Sequence, residues 1–553
     1  MIAAPEAHPF SPAGRVRALE RLGTETFDLL VIGGGITGAG VARSAALRGW
    51  SVALVEKSDF ASGTSSRSSK IVHGGLRYLE YGHFLLVREA ARERAVLKRI
   101  APHLVHPLPF LYPVFDGESL IKVRAGLRVF DFLADVDDDE EHKNLKPDEV
   151  RARLPGLRDP LKGGVGYLEY ITDDARLTME NALSAALHGA AVANWTRLVE
   201  LGLEDGGVRG AMVEDCLTGT RVDIDARMVV NATGSWAGSV LESSGLPVRH
   251  PLIPSKGIHI LLSAERLPIR GATFLRATNG KRGLAMRRGD FVYVGTTDDE
   301  YSGSLDTPRA TRSDVGEVLG MVQDCFPTHG LDYEDVLATW AGIRPLVEEQ
   351  GKTTRDTSRE DEAWEEPDGL ITVVGGKLTT YRRMAIRVLE IAQKSLGPPP
   401  LDVGGLDATV PLPGWTRGAD DPDRVENETA TAFRARGVDD STATRVAWLY
   451  GSQADMLLEF GDEDPDWLTP LGPGVPALRG EVRLAVDREM AMTLSDFMDR
   501  RAALLLFSED HGLAGAESAA DIMAQRLDWS PDRRNEELDR YRVLAREHGV
   551  PES

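Results

Sequence analysis

The sequence predicts an α/β protein that ends in an α-helical domain, and three observations carry the prediction. A glycine-rich turn follows a strand-like run at residues 27–40; helical and strand-like segments alternate from there to about Lys394; and beyond Pro398-Pro399-Pro400 the patterns are helical, with few strand signals.

In FDLLVIGGGITGAG, Gly33, Gly35 and Gly38 stand between an apolar strand and the start of a helix. A dinucleotide fold needs the first glycine for a tight turn, the second so that backbone can approach a pyrophosphate, and the third for close helix-to-strand packing. The pyrophosphate then meets the positive end of the helix. Ser51 to Val55 reads as a second parallel strand, with Glu56 at its carboxyl end placed to accept ribose hydroxyls. Met228 to Gly234 is a short apolar strand ending in small residues, as expected where a returning backbone passes close to a nucleotide. Leu370 to Val374 is another, and Gly375-Gly376 hands over to a helix carrying Thr379, Tyr381 and Arg382. The N-terminus of that helix favours negative charge developing on a cofactor by about 0.3–1 kcal/mol, and Lys377 adds a full positive charge.

Composition bounds the rest. A chain of 553 residues, 42% of them hydrophobic, buries a sizeable core and forms two or three domains. The net charge of −22 argues against nucleic acid as a partner. Cys216 and Cys325 are the only cysteines and lie far apart, so neither a disulfide scaffold nor a metal site is expected. Asp137 to Glu141 reads as a solvated acidic loop. There is no run of about 18 apolar residues, and the N-terminus lacks the basic start and apolar core of a signal peptide. The expected location is therefore cytoplasmic, free or peripheral on the cytosolic face of the membrane.

The segment after the second strand makes the reading specific. Thr64-Ser-Ser-Arg-Ser-Ser-Lys70 and Ile71-Val-His-Gly-Gly-Leu-Arg-Tyr-Leu-Glu80 are too rich in hydroxyl, glycine and basic groups for an ordinary crossover helix. With the glycine turn, this segment resembles the FAD-dependent glycerol-3-phosphate dehydrogenase family. Further pieces agree in order: Asp173 to Leu177, Asn231 to Gly238, Lys256 to His259, Val294 to Asp298, Ala341 to Leu346 and Gly375 to Tyr381. The likeness spans roughly residues 27–390 and extends weakly through Thr409 to Gly414 and Glu489 to Leu494.

The resemblance implies an FAD-binding Rossmann-like domain with a mostly antiparallel β-sheet substrate cap, followed by the helical domain. The expected FAD-binding segments are about 24–100, 166–250 and 346–397, the cap segments about 101–165 and 251–345, and the helical domain 401–553. On the same resemblance FAD is held by Gly33, Gly35, Ile36, Thr37, Gly38, Glu56, Lys57, Thr64, Ser65, Ser66, Ser69, Lys70, His73, Gly74, Gly234, Gly376, Lys377, Leu378 and Thr379. No cysteine or histidine stands in a covalent attachment motif, so the flavin is expected to be noncovalent.

Arg77, Arg344 and Lys377 each belong to a glycine-rich motif, and together they would form an anion clamp, guanidinium forks suiting a phosphate. The resemblance implies glycerol 3-phosphate as the occupant, with Tyr78 alongside. The chemistry is removal of the C2 hydroxyl proton with hydride transfer to flavin N5. His259 and His73 are the candidate bases, because neutral imidazole accepts a proton near pH 7; His259 is preferred, since it lies in the cap. The expected acceptor is a membrane quinone. The alternatives are an oxidase of the same chemistry using oxygen, a relative acting on an amino acid or amine, and a non-catalytic flavoprotein. A homodimer is compatible with any of these.

One basic stretch departs from the acidity of the chain. Between Lys256 and Arg288 there are eight basic residues and one acid, Glu265, with Leu267, Ile269, Phe274 and Leu275 interspersed. The expectation is peripheral membrane docking through this stretch, the alternatives being steering of an anionic substrate or internal ion pairs.

Overall fold

Leu29 to Ile32 and Val52 to Val55 are buried without interruption, the pattern of strands covered on both faces. In the computed structural model, which describes residues 8–75, 84–134, 140–348, 361–366, 369–401, 404–418 and 420–551, these strands lie at the centre of a parallel sheet. Its order is Leu370–Gly375, Arg221–Asn231, Thr26–Ile32, Val52–Val55 and Ala191–Ala193, with Asp361–Glu365 antiparallel at one edge. The helices Ile36–Leu47, Asp174–Leu187 and Tyr381–Leu396 contribute Ala39, Val41, Met179, Leu183, Met384 and Val388 to a core shared with the sheet. The carboxyl ends of the three central parallel strands thus carry Gly33, Glu56 and Ala232 to one side, where an open parallel sheet receives its ligand.

The second sheet runs Asp299–Glu300, Leu252–Ser263, Phe291–Gly295, Arg282–Arg288, Ala272–Arg276, His106–Phe115, Leu161–Ile171 and Ile71–Val72, with Val336–Val347 also paired to Leu252–Ser263. Every pairing is antiparallel except that between Ala272–Arg276 and His106–Phe115. This is the mostly antiparallel cap that the sequence leads one to expect.

The helix Tyr381–Leu396 stops at Gly397, whose φ of +85° no ordinary side chain adopts readily. Beyond it come Pro422–Arg434, Asp440–Tyr450, Ala454–Glu463, Arg479–Glu489, Leu513–Leu527 and Pro531–Glu547. Between Glu481 and Phe507 the helical pattern of the sequence is interrupted. The helix ends at Glu489 because Met490 turns left-handed (φ +52°), and the chain resumes as a π-helical turn over Asp496–Arg501. This region packs against the antiparallel sheet: Phe507 lies 6.0 Å from both Trp340 and Tyr293, ring centre to ring centre, within a core that also holds Val482 and Phe497.

The basic stretch does not form the expected docking surface. Leu267, Ile269 and Leu275 are fully buried. Lys256 pairs with Asp314 at 2.6 Å, Arg276 with Glu118 at 2.6 Å, Lys281 with Glu317 at 2.5 Å and Arg288 with Asp173 at 2.9 Å, and Arg266 pairs with Asp335. The acids lie on other elements, so five of the eight basic side chains that form the positive island in the sequence are paired within the fold.

Candidate active site

A cavity of about 1200 Å³ runs from the glycine turn to the cap. At its nucleotide end Gly33 has φ +111°, and a Cβ there would stand 2.6 Å from the carbonyl oxygen of Ala232. At Gly38 a Cβ would lie 1.9 Å from the Gly33 carbonyl, so this glycine serves close packing and not the cavity wall. Gly35 caps the helix Ile36–Leu47 without using a side chain, and the Ile36 amide donates to Ser65 Oγ at 2.9 Å. Glu56 receives the Gly34 amide at 2.7 Å and the Ser58 amide at 3.0 Å. Burial raises its pKa above the usual carboxylate value, against the pull of those two bonds.

Residues 64–70 cross from the parallel sheet to the cap. Thr64 Oγ1 donates to the Ile343 carbonyl at 2.6 Å, Ser68 Oγ donates to Asp174 at 2.7 Å, and Lys70 Nζ reaches Asp174 at 2.5 Å. Lys70 lines the cavity with its ammonium already committed. Ser66 is buried off the cavity wall, its carbonyl accepting from Lys70 Nζ at 3.1 Å. Gly74 is likewise behind the wall: a Cβ there would strike Phe130 at 2.5 Å, and its amide donates to Glu169. His73 lines the cavity, its amide donating to Thr379 Oγ1 at 3.2 Å. Gly375 and Gly376 both have positive φ (+74° and +75°), and Lys377, Leu378 and Thr379 after them line the cavity. Ile36, Thr37, Lys57 and Gly234 also line the cavity, Lys57 pairing with Asp306 and lying 4.0 Å over the Trp236 ring. Tyr381 and Arg382 do not line it: Tyr381 is buried, and Arg382 binds Glu93 at 2.6 Å.

The cap end is built on two neighbouring antiparallel strands. His259 sits opposite Gly295 on one side and Trp340 on the other. Its ring stacks on Trp340 at 4.9 Å and 11°, and any side chain at Gly295 would run into the imidazole. Nε2 lies 2.9 Å from Ser69 Oγ, while Nδ1 has no protein partner among the described residues. Burial, followed by the positive charges of Arg344 and Lys70, lowers the His259 pKa to about 3, so the ring is neutral at pH 7. Arg344 reaches the same space from Val336–Val347. Its guanidinium donates to Thr296 Oγ1 at 2.8 Å and Asp298 Oδ1 at 3.1 Å, and Gly257 makes room for it. Arg77 and Tyr78 lie outside the described residues.

The structure therefore brings Arg344, His259 and Lys377 to one cavity with the nucleotide cradle. It adds groups to which the sequence alone assigns no role. Asp174, Thr296 and Asp298 stand inside the family-like motifs, but what each one holds depends on pairing between distant segments. Trp340 precedes its motif by one residue.

Residues 28–377 match the family FAD dependent oxidoreductase, and residues 408–534 match the C-terminal domain of alpha-glycerophosphate oxidase. An aerobic glycerol-3-phosphate dehydrogenase of Bacillus subtilis is 35% identical over 98% of this chain and 99% of its own. The chain belongs to the FAD-dependent glycerol-3-phosphate dehydrogenase family. A member from Staphylococcus aureus is 36% identical over 93% of each chain. The solved glycerol-3-phosphate dehydrogenase of Bacillus halodurans, complexed with FAD, is 32% identical and superposes with a TM-score of 0.82 over 98% of this chain and 99% of that one. FAD is thus the cofactor, and the cradle fits it. Gly33 makes the tight turn, Gly35 caps the helix without a side chain at the end where a pyrophosphate binds, and Glu56 stands at the end of the second strand for a ribose.

Proposed function

We propose that the protein oxidises sn-glycerol 3-phosphate to dihydroxyacetone phosphate, with hydride transfer to flavin N5 and delivery of the electrons to a membrane quinone. The observation that carries this reading is the convergence of Arg344 and His259, on adjacent cap strands, on the cavity that holds the dinucleotide cradle. Bound FAD supplies the two-electron acceptor. Arg344, its fork aimed by Thr296 and Asp298, binds the phosphate, and Lys377 adds a second positive charge. Arg77 and Tyr78 complete the clamp on the family resemblance.

His259 takes the C2 hydroxyl proton. Ser69 Oγ fixes the position of Nε2, and stacking on Trp340 fixes the ring plane. A dianionic phosphate beside Arg344 offsets the positive field that now depresses the imidazole pKa, so the base strengthens as substrate binds.

Peripheral association with the cytosolic face of the membrane belongs to this reading, and its support lies on a face other than the basic stretch. Leu85, Ile121 and Phe132 are 83%, 77% and 84% exposed, with Arg88, Arg92, Lys122 and Arg128 exposed on the same two helices. The inner side of Leu120–Ala134 packs Phe130 against Tyr167, which lines the cavity. No helix among the described residues is long and apolar enough to cross a membrane.

The match of the C-terminal region to an oxidase domain favours oxygen as a second acceptor to be tested. Turnover of glycerol 3-phosphate with a soluble quinone analogue, measured beside hydrogen peroxide formation with oxygen alone, separates the two. The dehydrogenase reading requires the quinone rate to dominate.

A further inference from the structure

Among the described residues none after Met384 lines the cavity, yet the helical domain grips the loop that does. Asp59 and Arg67 bracket the crossover that holds Thr64 and Ser65. Both are bound by the π-helical turn Asp496–Arg501. Asp59, fully buried, receives Arg500 Nε and Arg501 Nη1 on Oδ2 at 2.7 Å each, and Arg501 Nη2 on Oδ1 at 2.9 Å. Arg67 lines the cavity and makes a fork-on-fork pair with Asp499, at 3.1 and 2.7 Å. Arg500 links the two, donating to Asp499 at 2.8 Å and to Asp496 at 2.9 Å.

An α-helical continuation would set these side chains at different angles; the wide π turn, of a kind that recurs at functional sites, presents Asp499, Arg500 and Arg501 to one loop. Buried charges fix one another's geometry, because any rearrangement strands an ion away from water. The segment so fixed contains Ser65, whose hydroxyl receives the first amide of the pyrophosphate-binding helix, and it continues to Ser69 at His259 Nε2.

We propose that Asp499 is a positioning residue: through Arg67 the helical domain sets the conformation of the flavin-facing loop, and with it the affinity and the environment of bound FAD. The proposal rests on FAD occupying the cavity. It gives the helical domain a part in cofactor binding without contact with the cofactor.

The test compares Asp499→Asn with Glu481→Gln. The second variant breaks a pair with Arg445 inside the helical domain, also at a fully buried carboxylate, and leaves the loop alone. Apoprotein of each is titrated with FAD, the visible spectrum of the bound flavin is recorded, and Tm is measured. The expected result is a Kd for FAD raised at least tenfold and an altered flavin spectrum in D499N, with partial recovery in Asp499→Glu. E481Q is expected to lower Tm and change neither. Equal loss of Tm in D499N and E481Q, with wild-type Kd and spectrum in both, overturns the proposal. If D499N does not fold, Arg67→Lys keeps the charge in the cavity wall and loses the fork; an unchanged Kd and spectrum there overturns it equally. A wild-type chain that takes up no FAD would instead refute the underlying cofactor reading.

Discussion

His259 Nε2 lies 2.9 Å from Ser69 Oγ, which ties a strand of the cap to the loop that descends from the dinucleotide cradle. The contact places the proposed base at the junction of the two sheets.

Replacing His259 by Asn is expected to slow flavin reduction by glycerol 3-phosphate in a single turnover by about 10²–10⁴-fold, the usual range for a lost general base. FAD should remain bound. The same variant reports the imidazole's ionisation. Its folded pKa of about 3 lies below the ordinary 6.5, so between those values the unfolded chain binds a proton that the folded protein does not. Its contribution to stability is complete above about pH 6.5 and is lost as pH falls toward 3. Unfolding free energy measured against pH should therefore fall less steeply in H259N, by up to one proton, within that window. An identical slope would place the imidazole pKa elsewhere.

Arg344→Lys keeps a positive charge but loses the fork held by Thr296 and Asp298. The expected outcome is a KM for glycerol 3-phosphate raised about 10–100-fold, the equivalent of roughly 1.4–3 kcal/mol, with flavin content unchanged. Wild-type KM in this variant would move phosphate recognition to other residues.

Glu56 accepts two backbone amides and faces the nucleotide end of the cavity, so Glu56→Ala is expected to weaken FAD binding by tenfold or more. Acid precipitation of the wild-type protein should release all of its yellow colour, since the flavin is expected to be noncovalent. Colour retained in the pellet would contradict that.

Changing both Ile121 and Phe132 to Glu places charges on the exposed apolar face without touching the core. Flotation with anionic vesicles should be lost while turnover with a soluble quinone analogue persists. Retained flotation would assign any membrane contact to another surface.

The nucleotide half of the site was legible because its signal is local: Gly33, Gly38 and Glu56 act within one strand–turn–helix–strand unit. The segments carrying His259 and Arg344 were visible through the family resemblance, in Lys256 to His259 and Ala341 to Leu346, and both lie on cap strands. What the sequence hid depends on long-range partners. Lys256, Arg266 and Arg276 read as a positive island because Asp314, Asp335 and Glu118 come from distant segments. The break at Met490 and the grip of Asp499 on Arg67 have the same cause: a left-handed residue and a partner 432 positions away leave no periodic trace.

The central claim is that this cavity uses glycerol 3-phosphate to reduce its flavin. Anaerobic mixing of the holoprotein with glycerol 3-phosphate tests it most directly. Bleaching of the flavin absorbance is expected, with one dihydroxyacetone phosphate formed per flavin, and no response to glycerol at the same concentration. A flavin that stays oxidised with glycerol 3-phosphate, yet is bleached by an amino acid, would contradict it.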